Sequence, residues 1–267
     1  MTTVLLHGLG ADRRQPLGLF EPVIEEVVGV DEFIVAPDVR AHGGFLEVGE
    51  PADFELNRLA AEVSQHIPVA VAEAGWGGDS AHASSEPVTL IGISMGAAIA
   101  LRIILEGLLP VRRAVFVRPA FDDRPLPDNL RAFPVIGQIL ADAGPAGIAE
   151  FEERALYRRI EAESPAGARA LLTQFQAPDA ARRAMRLVEI PRNRAFVSDA
   201  ELAEPAARGI RSLVVGAPRD PVHPFAIAEH WAGALGASFE TVTARDEGQA
   251  AQTSMLRERV GRWLERD

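Results

Sequence analysis

Several chemically important residue types are missing from the chain. Cysteine does not occur, which excludes disulfides, thiolate nucleophiles and thiolate metal sites. Lysine is also absent, so all 27 basic residues are arginine. This excludes Schiff-base chemistry and the lysine of a phosphate-binding loop. The histidines lack the spacing of metal ligands, and we expect neither a metal nor another cofactor.

The charge and hydropathy of the chain limit its partners. The formal net charge of -11 opposes nonspecific binding to nucleic acid, whose affinity comes largely from basic patches. No apolar run reaches the roughly 18 residues needed to span a membrane, and no basic region precedes the short apolar stretch in "MTTVLLHG", as it would in a signal peptide. We therefore expect a cytoplasmic protein that acts on a small-molecule substrate and binds neither nucleic acid nor a membrane. The sequence indicates no particular oligomeric state.

Hydrophobic periodicity predicts the fold class. Short β-branched runs alternate with longer helical patterns, which is typical of parallel strands joined by crossover helices. Between residues 121 and 205 only helical patterns occur, separated by proline and glycine. We predict an α/β fold: a doubly wound, mostly parallel sheet from residues 1–120 and 206–267, with 121–205 inserted as a helical lid over the carboxyl ends of the strands. The Gly/Ser-rich residues 75–87 are predicted to form a surface loop.

A candidate nucleophile lies between a predicted strand and a predicted helix. The segment Gly92-Ile93-Ser94-Met95-Gly96 has the G-x-S-x-G spacing of a tight turn that lifts a serine hydroxyl above the sheet edge. Ser94 also stands at a helix N-terminus, where free N–H groups favour a developing negative charge. We therefore predict that Ser94 is a nucleophile.

Three further stretches resemble loops of the α/β-hydrolase superfamily. "LLHGLGADRR" is similar to its His-Gly oxyanion loop, "APDVRAHGG" to its Asp-x-Arg-Gly-His-Gly loop, and "LVVGAPRDPVHP" to the strand end that carries its acidic triad member. The resemblance implies the α/β-hydrolase fold with a lid after the sixth core strand. It also implies an oxyanion hole formed by the N–H groups of Leu9 and Met95, and Asp220 as the acid. Asp122 is an alternative acid, although its Asp-Asp-Arg-Pro context fits a lid hinge equally well.

The chain departs from this family where the catalytic histidine is expected. That histidine follows the last strand, just after a glycine. Here the corresponding loop reads "TARDEGQAAQTSM", with Gln249 after Gly248 and Gln252 one turn later. A neutral amide cannot accept the serine proton. We expect Gln249 to contact the substrate instead.

Other residues are candidates for the base. His223 lies three residues after the predicted acid, at a strand end that should face the site; the alternative is a structural histidine held between prolines. His42 is a second candidate, although histidine in such a loop usually holds loops together. Asp246 or Glu247 could serve if burial raised its pKa, but beside Arg245 they are more simply a solvated charge cluster.

Two more residues are predicted to lie beside the substrate. His7 is expected to brace the oxyanion loop and to contact the substrate. Arg118 is unusual at the end of a core strand. It could bind a substrate carboxylate through two hydrogen bonds, or it could pair with Asp122 or Asp123.

The sequence leaves three functional hypotheses. Gly8-Leu9-Gly10 and Asp38 imitate a dinucleotide fingerprint, but Arg13 stands where its third glycine is needed. A stronger alternative is a hydrolase-like protein that has lost hydrolysis and binds a ligand, or catalyses cyclisation or elimination. The leading hypothesis is a serine hydrolase of the esterase or thioesterase type that acts on a small, mostly apolar carbonyl compound.

Overall fold

The protein is built on a six-stranded sheet in which every pairing is parallel. The structure is a computed structural model that describes residues 2–29, 32–73 and 86–266, so most of the predicted loop 75–87 lies outside the described residues. The strand order is β2-β1-β3-β4-β5-β6. The strands are β1 (Thr2–Leu6), β2 (Phe33–Val35), β3 (Val88–Ile93), β4 (Val111–Val117), β5 (Arg211–Gly216) and β6 (Ser238–Thr241).

Helices cover both faces of the sheet, which explains why its central strands are almost continuously apolar. On one face Leu5 and Ile91 pack with α1 (Arg14–Val27) and α12 (Gln249–Leu264). On the other face Leu6, Leu90 and Phe116 pack with α2 (Leu56–Glu73), α3 (Met95–Leu105) and α11 (Phe225–Leu235). Because successive side chains of a strand point to opposite faces, Leu5 and Leu6 lie in different hydrophobic clusters.

A purely helical segment connects β4 to β5 within the described residues. Its helices are α4 (Ala132–Ala143), α5 (Ile148–Glu153), α6 (Ala155–Glu163), α7 (Pro165–Gln176), α8 (Met185–Glu189), α9 (Asp199–Leu202) and α10 (Glu204–Ala207). The segment follows the fourth strand of this sheet, so the expected position after a sixth strand is wrong: only four strands precede it in the described residues.

One part of the helical segment is long and apolar enough, by composition, to cross a membrane: Asp128–Glu153. In the structure this stretch is divided into α4, α5 and short 3-10 turns, and Phe133, Ile136 and Leu140 lie in the main hydrophobic core. Packing against the rest of the protein therefore accounts for its apolar composition.

The topology determines where a ligand can bind. From β1 the chain passes to β2 on one side, whereas β3 lies on the other side of β1. Such a switch point opens a crevice at the carboxyl ends of the two strands. The turns that follow β1 and β3 carry Leu9 and Ser94, and these two residues line the same cavity.

Candidate active site

Ser94 lies on a strained turn between β3 and α3. Its backbone angles are φ 54 and ψ -109, a region that residues other than glycine rarely adopt. The turn is fixed from the neighbouring strand, because the N–H of Ser94 donates to the carbonyl of Val117 over 2.9 Å. Strained backbone of this kind is concentrated at functional sites.

The two glycines of the motif are required by close packing. A Cβ on Gly92 would lie 2.2 Å from the carbonyl oxygen of Gly96, and a Cβ on Gly96 would lie 2.4 Å from the carbonyl oxygen of Leu6. Any side chain at either position would therefore push α3 away from β3 or β1. The close packing of α3 against β3 and β1 therefore explains why both flanking positions of the G-x-S-x-G motif are glycine.

The loop after β1 packs beside Ser94 and presents a free N–H group. A Cβ on Gly8 would lie 3.6 Å from the Ser94 Cβ. The N–H of Gly8 donates to Gln15 Oε1 over 2.8 Å, and that of Gly10 donates to His42 Nε2 over 3.1 Å. Between them, the N–H of Leu9 has no hydrogen-bond partner among the described residues.

Met95 supplies a second free N–H group. It is the first residue of α3, so its N–H has no acceptor within the helix. No hydrogen bond to another described residue occupies it. The backbone N–H groups of Leu9, after β1, and of Met95, after β3, are therefore both without an acceptor among the described residues.

His7 is not among the residues that line the cavity, where its predicted contact with a substrate would have to form. The ring is fully buried. Its Nε2 accepts the N–H of Val39 over 3.0 Å, and its Nδ1 donates to the carbonyl of Gly8 over 2.9 Å. Burial lowers the pKa of His7. The neutral ring therefore braces the loop after β1 against the loop after β2.

His42 is likewise occupied and is not available as the base. Its Nε2 accepts from Gly10, and its Nδ1 donates to the carbonyl of Arg40 over 2.8 Å. Burial, with a smaller contribution from Arg186, holds the pKa of His42 well below its usual value. His42 therefore connects two loops.

Asp220 and His223 form a hydrogen-bonded pair in the turn after β5. Asp220 Oδ1 accepts the N–H groups of Val222 and His223 over 3.1 and 3.0 Å. The other oxygen, Oδ2, lies 2.9 Å from His223 Nδ1. This contact fixes the tautomer with the proton on Nδ1 and leaves Nε2 as an acceptor. No described residue hydrogen-bonds to that Nε2.

Neighbouring groups keep the Asp220 carboxylate ionised, and burial keeps the His223 imidazole neutral. Burial opposes the charge of Asp220, but His223, Arg118 and Arg245 outweigh it and lower the pKa of the carboxyl. Burial also lowers the pKa of His223, and Asp220 offsets this only in part. At neutral pH the ring can therefore accept a proton.

Ser94 and the Asp220–His223 pair line the same cavity, which has a volume of about 640 Å³. Its lining includes Ser94, Leu9, Asp220 and His223, together with Gln249. Ser94 Oγ makes no hydrogen bond to a histidine in the part of the chain that the structure describes. The cavity thus combines a strained serine, a free N–H group and an oriented imidazole.

The sequence profile of the alpha/beta hydrolase family matches residues 3–259. The chain belongs to the α/β-hydrolase family. No curated protein sequence matches it.

Solved structures of other proteins have the same fold. MenH from S. aureus matches with a TM-score of 0.65 and 16% identity, over 99% of this chain and 91% of that protein. A thermophilic esterase from Thermogutta terrifontis, solved with malate bound, matches with a TM-score of 0.65 and 18% identity, over 99% and 89%. Rv0554 from Mycobacterium tuberculosis matches with a TM-score of 0.64 and 17% identity, over 96% and 88%. At these identities the similarity concerns the fold.

In this α/β-hydrolase the loop after β6 binds the helical segment. Asp246 accepts hydrogen bonds from Ser164 Oγ over 2.5 Å and from the N–H of Ala166 over 2.8 Å, at the start of α7. These bonds lower the pKa of Asp246. Its carboxylate is therefore a structural acceptor rather than a base or a merely solvated charge. Glu247 pairs with Arg219 at the surface over 2.5 Å.

The two glutamines of this loop have different surroundings. Gln249 is exposed at the first position of α12 and lines the cavity. Gln252 is buried, and its Nε2 donates to the carbonyl of Thr243 over 2.7 Å. Only Gln249 is therefore placed where a side chain could reach a ligand.

Two aspartates that the sequence offered as alternatives are engaged elsewhere. Asp122 accepts the backbone N–H of Arg124 over 2.9 Å and its Nη2 over 2.7 Å, and it does not line the cavity. Asp38 accepts from Arg13 and from the N–H of Gly44. Neither carboxylate is free to act as the triad acid or to bind a ribose.

Several polar residues of the cavity carry no motif in the sequence, among them two glutamines that contact the loop after β1. Gln174 of α7 packs against Gly10 so closely that a Cβ there would lie 1.9 Å from Gln174 Oε1. That oxygen is buried and accepts no hydrogen bond from the described residues. Gln15 of α1 lines the cavity beside Gly8. Gln174 and Gln15 are isolated polar residues on amphipathic helices, and neither belongs to a recognisable sequence motif.

A second cavity of about 700 Å³ lies between Pro51–Phe54 and the region of Arg192–Val197. None of the residues that line it is a serine, threonine or histidine. This second cavity therefore offers neither a hydroxyl nucleophile nor an imidazole.

Proposed function

We propose that the protein is a serine hydrolase that cleaves an ester or thioester, with Ser94 as the nucleophile. The observation that carries this proposal is the presence of the Asp220–His223 pair and Ser94 in one cavity. A nucleophile, an imidazole with a free nitrogen and a carboxylate that orients it are the parts that this chemistry requires.

Each residue has a defined task in the reaction. His223 Nε2 removes the proton of the Ser94 hydroxyl while Oγ attacks the carbonyl carbon. The N–H groups of Leu9 and Met95 stabilise the oxyanion. Asp220 stabilises the imidazolium, which then protonates the departing alcohol or thiol. Water, deprotonated by the same imidazole, releases the acid and restores Ser94.

The contact between Ser94 and His223 forms when substrate binds. Catalytic hydrogen bonds are often long in free enzymes and tighten only in the substrate complex. The free N–H groups supply the geometry for this step, because they bind the carbonyl oxygen and hold its carbon against Oγ. Removing either the serine or the imidazole should therefore abolish most of the turnover.

The helical segment acts as the lid in this proposal. Phe133 and Leu171 line the cavity from α4 and α7, and Ile93 and Val222 line it from the core. These side chains suit a substrate with a compact apolar part. Gln249 lies at the rim and contacts the part of the substrate that is distant from the carbonyl.

Turnover of p-nitrophenyl acetate tests the proposal. We expect slow but measurable hydrolysis by the wild type, because the base comes from an unusual position and needs substrate to complete its contact with Ser94. The Ser94→Ala variant should lose nearly all of this activity while unfolding at the same temperature. Equal turnover by the two proteins would show that the hydrolysis does not use Ser94.

A further inference from the structure

Arg118 is a buried cation in the lining of the candidate site. It follows β4 in a left-handed conformation, φ 47, and its N–H donates to the carbonyl of Val215 over 2.7 Å. Its side chain is 8% exposed and lines the cavity that contains Ser94. Asp122 is already bound by Arg124, so the predicted pairing of Arg118 with that aspartate does not occur.

The positive charge of the Arg118 guanidinium is only partly compensated by neighbouring groups. Its Nη1 lies 3.6 Å from Asp220 Oδ2, beyond hydrogen-bond distance. Nε and Nη1 are both buried and have no hydrogen-bond partner among the described residues. Buried cations normally have their donors satisfied, because an unsatisfied buried donor costs free energy.

Asp220 cannot compensate this charge alone. Its carboxylate already accepts from His223 Nδ1 and from two backbone N–H groups. A second cation, Arg245, lines the same cavity and lowers the pKa of Arg118 further, after the larger effect of burial. That pKa, about 10, still leaves Arg118 charged at neutral pH. Although the protein has a net charge of -11, its cavity is lined by more arginines than aspartates.

We propose that Arg118, with Arg245 beside it, binds a carboxylate of the substrate, so that the substrate is an acyl compound with a second, anionic end. A carboxylate matches the fork of an arginine and accepts two of its N–H donors at once. This inference rests on the proposed function. It narrows the substrate class from apolar carbonyl compounds to half-esters or half-thioesters of dicarboxylic acids.

The length of the substrate is limited by the cavity. Its ester carbonyl has to reach Ser94 while its carboxylate reaches Arg118, and both residues line a space of about 640 Å³. A short linear dicarboxylic half-ester fits this requirement. The apolar contacts from Phe133 and Leu171 then cover the methylene chain between the two ends.

Equilibrium binding to the Ser94→Ala protein tests this proposal without turnover. The probes are the monomethyl esters of malonate, succinate, glutarate and adipate, each compared with its neutral dimethyl ester by titration calorimetry. For at least one chain length we expect the monomethyl ester to bind about tenfold or more tightly, since hydrogen bonds to a charged group contribute about 1.5–3 kcal/mol. Equal or weaker binding of every monomethyl ester, including no detectable binding, would overturn the proposal.

Variants of two arginines locate the effect. Arg118→Met in the Ser94→Ala background should abolish the preference for the monomethyl ester, and Arg118→Lys should keep only part of it. Arg169→Met is the matched control, because Arg169 lines the same cavity but is exposed. It should keep most of the preference, since solvent screens its charge. Equal losses in Arg118→Met and Arg169→Met would show a general surface potential and contradict a buried carboxylate site.

The two proposals fail in distinguishable ways. Binding of the monomethyl esters to Ser94→Ala does not depend on acyl transfer, and turnover of p-nitrophenyl acetate does not depend on a carboxylate. A preference for the anionic probes with no turnover of any ester would support the carboxylate site and refute the hydrolase. Ester turnover without a preference for the anionic probes would support the hydrolase and refute the carboxylate site.

Discussion

Asp220 binds a histidine that is only three residues further along the same turn, with His223 Nδ1 2.9 Å from Asp220 Oδ2. In the family pattern that the sequence resembles, the acid and the histidine come from different loops, after different strands. Here one short segment supplies both. The orientation of the imidazole therefore depends on local backbone geometry rather than on the packing of β6 against β5.

Replacing His223 tests its role as the base. His223→Ala should lower the turnover of p-nitrophenyl acetate about a hundredfold or more, which is the usual contribution of a general base. His230→Ala is the control, because His230 is 41% exposed on α11 and pairs with Asp199 outside the cavity. If the two variants have the same turnover, His223 is structural.

The pH profile of kcat/KM reports the same group. The neutral imidazole is the active form, so the rate should rise with pH and reach its plateau above the pKa of His223. Because burial lowers that pKa, we expect the midpoint of the rise below 6.5. Arg118→Met should move the midpoint upward, since Arg118 is one of the cations that lower the pKa. A midpoint that is the same in wild type and Arg118→Met would refute this coupling.

The free energy of unfolding should also depend on the titration of His223. The unfolded chain binds a proton to His223 at higher pH than the folded protein does, because the folded pKa is depressed. This contribution to the free energy of unfolding is fully present above 6.5 and declines as the pH falls through the lowered pKa. In His223→Ala, urea unfolding should show a weaker loss of stability with acidification. An identical pH dependence in both proteins would contradict a neutral buried ring.

A histidine at the vacated family position should replace part of the lost function. In the His223→Ala background we expect Gln249→His to raise ester turnover, because Gln249 is exposed and lines the cavity. The gain should be modest, since a misplacement of about 1 Å can cost a hundredfold in rate. It should disappear when Ser94→Ala is added, because base and nucleophile act as a unit.

Gln252→His is the matched control for this experiment. Gln252 is buried and donates to the carbonyl of Thr243, so the change should destabilise the protein by about 1 kcal/mol without raising turnover. If neither histidine variant exceeds the His223→Ala parent while Gln249→His remains folded, an imidazole at position 249 cannot replace that of His223.

The bond between Asp246 and α7 should hold the helical segment in place. Asp246→Ala removes the acceptor for Ser164 Oγ and for the N–H of Ala166, and we expect it to lower the free energy of unfolding by about 1 kcal/mol. Glu247→Ala removes only an exposed ion pair with Arg219 and should change stability by less than about 0.5 kcal/mol. Hydrogen exchange in α7 should increase only in Asp246→Ala. Equal exchange in both variants would contradict the tether.

The sequence predicted those features that local patterning and tight turns impose. The parallel sheet follows from apolar runs that must be covered on both faces, and the strained turn at Ser94 follows from Gly92 and Gly96, which no other residue can replace there. The proximity of Asp220 and His223 also follows from the sequence, because two side chains that are three residues apart in one turn lie close together. Local geometry is what a single sequence encodes most directly.

The contacts that the sequence did not reveal join distant segments. Asp246 binds residues that lie 80 and 82 positions earlier in the sequence only because α7 lies above the sheet edge. Gln174 reaches Gly10 for the same reason. The predicted substrate contact of His7 depends on the direction of its ring, and that ring accepts the N–H of Val39 inside the protein. Side-chain direction at such positions depends on tertiary packing, which periodicity does not contain.

Covalent labelling of Ser94 tests the central claim most directly. The wild type, Ser94→Ala and His223→Ala are incubated with a fluorophosphonate, and the adduct is measured by intact mass and located by peptide mapping. The account predicts one adduct per chain on Ser94, none in Ser94→Ala, and labelling about a hundredfold slower in His223→Ala, because the imidazole activates the hydroxyl. No adduct in the wild type, an adduct on another residue, or equal rates in wild type and His223→Ala would contradict it.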